Sequence, residues 1–116
     1  MTETITLWRP TGAEELKLVE DSGWTKWPPR LPEQPIFYPV TTEEYAAKIA
    51  RDWNVPSSGV GYVTRFDVRK DYLDQYETQL AGGRDHEEYW IPAEDIDNFN
   101  AAIIGKIEVV RTFPEE

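Results

Sequence analysis

Nine prolines punctuate this chain, and they fall where regular elements would end. Proline lacks the backbone N–H that a helix interior or a central strand must donate, so each one limits how far an element can run. The densest stretch, Trp24 to Pro35, holds four of them, including Pro28-Pro29. It predicts an extended, irregular connection, pinned to the body by Trp24 and Trp27.

Between the prolines, apolar periodicity assigns the elements. Ile5 and Leu7 alternate with Thr4, Thr6 and Trp8, which reads as a strand closed by Pro10. Thr11-Gly12-Ala13-Glu14 has the spacing of a capping box for a helix from Ala13 to about Asp21. Leu16 and Val19 would face the core, and Ser22-Gly23 would supply a left-handed stop. Ile36 to Val40 reads as a short apolar strand. Thr41-Thr42-Glu43-Glu44 then offers a second capping box for a helix from about Thr42 to Trp53, ended by Asn54 and Pro56. Its apolar stripe of Tyr45, Ile49 and Trp53, beside Ala46 and Ala50, predicts a buried face.

In the second half, Gly61 to Val68 is expected as a strand with Tyr62, Thr64, Phe66 and Val68 on one face. Asp71 to Gln75 reads as a short helical turn. Strands near Tyr76 to Leu80 and Glu87 to Ile91 would form a hairpin across Ala81-Gly82-Gly83-Arg84. Pro92 suits the first position of a helix carrying Ile96, Phe99 and Ile103, which Gly105 would end. A last strand would then alternate Ile107, Val109, Arg111 and Phe113 with Glu108, Val110 and Thr112. The order β-α-β-α-β-β-β-α-β predicts an α+β fold with a mainly antiparallel sheet and about three helices. At 116 residues the chain reads as one domain spanning residues 1–116, long enough to bury a core without disulfides or metals.

Charge and composition exclude several functions. Twenty-two acidic against 12 basic residues give a formal charge of -10, which repels polyanions. The densest basic stretch, Arg65 to Lys70, is interrupted by Asp67, so nucleic acid is not an expected partner. With no cysteine, thiolate catalysis, disulfides and cysteine-based metal sites are excluded. MTETITLWRPTG has neither a basic start nor a long apolar run, and no window approaches a membrane span, so a cytoplasmic location and no membrane partner are expected. The acidic helix faces, Glu14-Glu15 and Glu43-Glu44, suit solvation and helix N-termini, and they would also suit a basic protein partner.

Chemistry concentrates in Asp85-His86-Glu87-Glu88-Tyr89-Trp90-Ile91-Pro92, where acidic residues and the sole histidine precede an apolar run. Adjacent residues in a strand face opposite ways, so only one of Glu87 and Glu88 can look into a given cleft. His86 and Glu88 share a face, on which a histidine can bind a ligand, tune a proton or hydrogen-bond the carboxylate. One histidine among scattered carboxylates has no metal-ligand spacing, and no metal site is expected. Gly59-Val60-Gly61 precedes a strand, whereas phosphate-cradling loops follow one. No Ser occupies a Gly-x-Ser-x-Gly turn for a histidine-assisted hydrolase. Arg9, at the end of the first strand, carries a planar guanidinium suited to phosphate or carboxylate. On local grounds it reads as an exposed strand-end charge, and Tyr38, Tyr45, Trp53 and Trp90 read as core aromatics.

Taken together, LWRPTGAEEL, IFYPVTTEEYAAKIARDW, GYVTRFDV and EEYWIPAEDIDNFNAAIIGKIEVV resemble, over nearly the full chain, a family of small bacterial proteins labelled ADP-ribosylation/crystallin-type. ADP-ribosyl hydrolases linked to that label are large, all-helical and metal-dependent, and this chain has neither their size nor their acidic metal motifs. More distantly, a strand ending in Arg, an aromatic strand before a helix and a Glu opening a late strand resemble the ADP-ribosyltransferase fold. That resemblance implies NAD as the bound substrate, with Arg9 contacting it, Tyr38 or Thr41 near the second motif, and Glu88 as the catalytic glutamate. His86 then stands where many members carry an acidic residue or glutamine that guides the acceptor. The family's Ser-Thr-Ser type strand reads Tyr38-Pro39-Val40-Thr41-Thr42 here. The implied chemistry is dissociative cleavage of the nicotinamide glycosidic bond, with Glu88 holding the ribose hydroxyl and stabilising the oxocarbenium-like sugar while Arg9 clamps phosphate. The alternatives are a non-catalytic ligand-binding or regulatory module on the same fold and an acidic protein-interaction domain.

Overall fold

The computed structural model describes residues 3–28, 36–80 and 87–113. Strand β1 (Thr4–Thr11) leads into helix α1 (Ala13–Asp21). Strand β2 (Ile36–Phe37) precedes α2 (Glu43–Ile49), which passes through a π-turn (Ala50–Asn54) into α3 (Val55–Ser58). Strand β3 (Gly61–Arg69) follows, then the one-turn α4 (Lys70–Leu73) and the antiparallel pair β4 (Thr78–Leu80) and β5 (Glu87–Tyr89). Strand β6 (Ile91–Pro92), a 3₁₀ turn (Ala93–Asp95), α5 (Ile96–Ala101) and β7 (Ile103–Phe113) complete the described chain. The expected α+β class with antiparallel pairing is present, with four helical segments among the described residues where about three were expected, α2 and α3 forming one of them.

The main sheet has the order β1-β3-β7, all antiparallel, with β3 central. Val40 extends it: its backbone exchanges hydrogen bonds of 2.8 and 2.9 Å with Trp8. On its other side, Thr41 N–H donates to the Glu87 carbonyl at 3.0 Å and Tyr89 N–H to the Pro39 carbonyl at 2.9 Å. One residue thus joins β1 to the β4–β5 pair.

Alternation in β1 and β3 sends side chains to two cores, one on each face of the sheet. Leu7, Phe66 and Val68 enter a cluster with Val19, Trp27, Phe37 and Phe99. Trp8 and Val63 enter a second cluster with Val40, Ala46, Ala47 and Ala50. The long strand β7 serves both because it is bulged. Val63 pairs with Arg111 while Thr64 pairs with Val109, so an extra residue reverses the alternation. Ile107 consequently lies in the first cluster and Phe113 in the second, where unbroken alternation had predicted one shared face.

Several expected boundaries move for identifiable reasons. β1 runs through Pro10 to Thr11, because Pro10 N, like Trp8 N, points to the outer edge, and the bridge to Val40 involves Trp8 alone. α1 spans the predicted residues, but its N-cap is Gly12 without a side-chain cap, so the Thr11 capping box does not form. Its C-terminus closes as a Schellman motif, Gly23 N–H to Glu20 carbonyl and Trp24 N–H to Val19 carbonyl, and Trp24 itself sits at φ 66. At α2 the cap is Thr42, whose Oγ1 accepts from Tyr45 N–H at 3.2 Å. Pro92 is a strand residue paired with Ile36 instead of a helix start. Gly105, at φ 79, lies inside β7 beside an irregularity between Arg65 and Asp67 instead of ending α5.

Helix α2 does not stop at Asn54. Val55 N–H reaches back five residues to the Ala50 carbonyl, and the wider turn carries the chain past Pro56, which falls in the first turn of α3 where no N–H is required. Gly61 then crosses this turn closely: a Cβ there would lie 2.6 Å from the Ala50 carbonyl oxygen.

Candidate functional site

Trp8, Val40 and Glu88 lie opposite one another across successive bridges, so the three side chains project to one face. α2 covers that face, and its Tyr45 stands one turn beyond the Thr42 cap. Tyr45 Oη donates to Glu88 Oε2 at 3.2 Å and Trp90 Nε1 donates to Oε1 at 2.8 Å. Glu88 is only 8% exposed, a placement that would be strongly unfavourable without such donors. The phenol of Tyr45 is pushed up from its ordinary 10.0 to about 12, first by burial, then by the negative charge on Glu88 and the hydrogen bond to it.

Glu88 borders a cavity of about 830 Å³, within the range of roughly 300–1,000 Å³ common for small-molecule sites. Tyr38, Trp53 and Trp90 line it, at 41%, 73% and 46% exposure. They were expected in the core, and they stand instead at the cavity wall. The rings of Tyr38 and Trp90 meet at 90° with centroids 5.9 Å apart, forming an aromatic corner beside the carboxylate. Trp53 follows Tyr45 and Ile49 along the helix, and all three line the cavity, so the stripe expected to be a buried face forms a cavity wall that ends in an exposed indole. Lys48 and Asn54 complete that wall, with Lys48 Nζ paired to Asp52 at 3.1 Å.

Arg9 borders the same cavity, but alternation turns its guanidinium to the other face of β1. There it forms a two-pronged pair with Glu15, Nε to Oε2 at 3.2 Å and NH2 to Oε1 at 2.9 Å. It also lies 4.5 Å from the centre of the Phe37 ring and 5.6 Å from that of Trp27. Arg9 is therefore a packed residue and not the exposed strand-end charge that its local sequence suggested. Thr41 turns away from the cavity's lining: its Oγ1 donates to the Glu87 carbonyl at 3.3 Å, tying β5 to the segment before α2. His86 lies outside the described residues, as do Asp85 and residues 81–84, where a turn was expected.

Of the residues singled out from sequence, then, Glu88, Tyr38 and Arg9 border one cavity. Tyr45, Trp53 and Trp90 were missed as site residues because aromatic side chains at helical or strand spacing ordinarily mark a core. Among the described residues no group of three or more metal-ligating side chains converges, and none of their helices is long and apolar enough to cross a membrane. No protein family, curated protein or solved structure matches the chain.

Proposed function

We propose that the cavity binds NAD and that Glu88 promotes cleavage of its nicotinamide glycosidic bond, as in an ADP-ribosyltransferase-like enzyme. The observation that carries this reading is Glu88 itself: a buried carboxylate at the wall of a ligand-sized cavity, oriented by Tyr45 and Trp90. Fixed in this way, it can accept a hydrogen bond from a ribose hydroxyl and stabilise positive charge as the sugar becomes oxocarbenium-like, without reorganising during the step; nicotinamide leaves neutral with the bonding pair, and water or an acceptor nucleophile bonds the anomeric carbon and loses its proton to solvent. Tyr38 and Trp90 offer aromatic faces to a planar ring. Arg9 supports the wall from behind, its guanidinium paired with Glu15 and packed against Phe37 on the other face of β1.

The test is nicotinamide release from NAD by the purified protein, with NAD and ADP-ribose binding followed by ligand-detected NMR on the same sample. Glu88→Gln should lower release by roughly 10²–10³-fold, the scale of losing one preorganised electrostatic group. Unchanged release in that variant, or no NAD binding at high concentration, rejects the reading. The Arg9–Glu15 pair favours a second reading, a non-catalytic recognition module, because the guanidinium expected to hold phosphate is already engaged. Binding of NAD or ADP-ribose without release identifies that case.

A further inference from the structure

Lys48 and Glu88 bring formal charges to the lining of the cavity, which Arg9 borders with its guanidinium turned to the other face of β1. Arg9 is matched by Glu15 and Lys48 by Asp52, two acids that do not line the cavity. Among the described residues Glu88 is held by a phenol and an indole, both uncharged donors, which orient its negative charge without neutralising it. Beside it stand the perpendicular rings of Tyr38 and Trp90, and the wall continues to Trp53, which is 73% exposed. An exposed tryptophan next to an aromatic corner and a buried carboxylate has no role in packing the core. It matches the requirements of a cation: π faces to surround it, and one anion to balance it.

We propose that this cavity recognises an organic cation, an alkylammonium head group seated against Trp90, Tyr38 and Trp53 with Glu88 as its counter-ion. The inference shares the cavity with the NAD reading and rests on that reading only for placing the ligand there; it requires no glycosidic cleavage. An ammonium with methyl substituents fits the lining better than a bare one, because its charge is spread over apolar groups that lose little hydration on meeting aromatic rings. The neutral donors on Glu88 favour a diffuse cation as well, since they occupy one lone pair on each oxygen.

The probes are choline and its uncharged isostere 3,3-dimethylbutan-1-ol, titrated into the intact protein by ligand-detected NMR. Choline should bind about tenfold tighter than the isostere. Glu88→Gln should remove most of that preference, and Trp53→Ala, at an exposed position, should weaken choline several-fold while leaving circular dichroism unchanged. A trimethyl-lysine peptide run alongside separates two sources of the head group: tighter peptide binding assigns it to a protein partner, tighter choline binding to a small molecule. Equal binding of choline and the isostere, or no binding of either, overturns the proposal even if nicotinamide release is present. Selective choline binding without nicotinamide release upholds it and rejects the enzymatic reading alone.

Discussion

At the scale of single residues, Tyr45 couples the site to stability through its proton. Its phenol ionises at about 12 in the folded protein against 10.0 ordinarily, so the folded state retains this proton more tightly than the unfolded chain. The stabilisation is fully present below pH 10 and is lost as pH rises from there towards 12. Tyr45→Phe should therefore flatten the fall of unfolding free energy across that window in urea titrations at stepped pH. Glu88→Gln should bring the tyrosinate absorbance step of Tyr45 part of the way back towards 10.0, since the charge is removed while burial, the largest cause, remains. Equal pH slopes in the wild type and Tyr45→Phe would show that the phenol of Tyr45 is not perturbed by its site. Glu88 was legible in the sequence because a carboxylate opening an apolar strand stands out. The partners that hold it were not, because Tyr45 lies 43 positions away and nothing local records the approach.

Among the elements, the π-turn and the strand that crosses it form one unit. Gly61 passes so close to the Ala50 carbonyl that Gly61→Ala must displace backbone, and a destabilisation of about 1–3 kcal/mol is expected in chemical denaturation. The same variant should disturb Trp53 fluorescence, because the turn that presents the indole is the part displaced. Gly105→Ala places an L side chain at φ 79, and a smaller cost of about 1 kcal/mol should follow, with the cavity unaffected. Stability unchanged by Gly61→Ala would mean that the crossing has slack. Helices α1 and α2 were readable from sequence because apolar residues recur at helical spacing, although of the two expected side-chain caps only that of α2 forms. The π-turn was not, since Tyr45, Ile49 and Trp53 continue the spacing of an ordinary helix straight through it. The bulge in β7 was hidden for the same reason: Ile107 to Phe113 alternates as if unbroken, and only pairing with β3 reveals the extra residue.

Across the whole molecule, β3 is the shared wall of two cores. It is hydrogen-bonded on both sides, by β1 and β7, and it contributes Phe66 and Val68 to one cluster and Val63 to the other. Amides of Val63 to Val68 should accordingly exchange with solvent most slowly, approaching the rate set by global unfolding, while those of the short β4–β5 pair exchange faster. Native-state hydrogen exchange checks this directly, and comparable protection in the two regions would contradict it. The class of the fold followed from the sequence because the alternation of β and α patterns is a global signal. The division into two cores did not, because it depends on which face of the sheet each helix covers.

Val40 gives that architecture a mechanical property. On one side of it stand β1, β3 and β7 as a broad plate; on the other stands the narrow plate of β4 and β5 that carries Glu88. The backbone around residue 40 bridges the two like a rivet, and the cavity lies beside it. The main chain at this position bridges the β1 wall to the strand that carries the carboxylate, and the Val40 side chain is itself part of the lining. A substitution there therefore acts on the cavity in two ways, through the spacing of its walls and through the surface that an occupant meets.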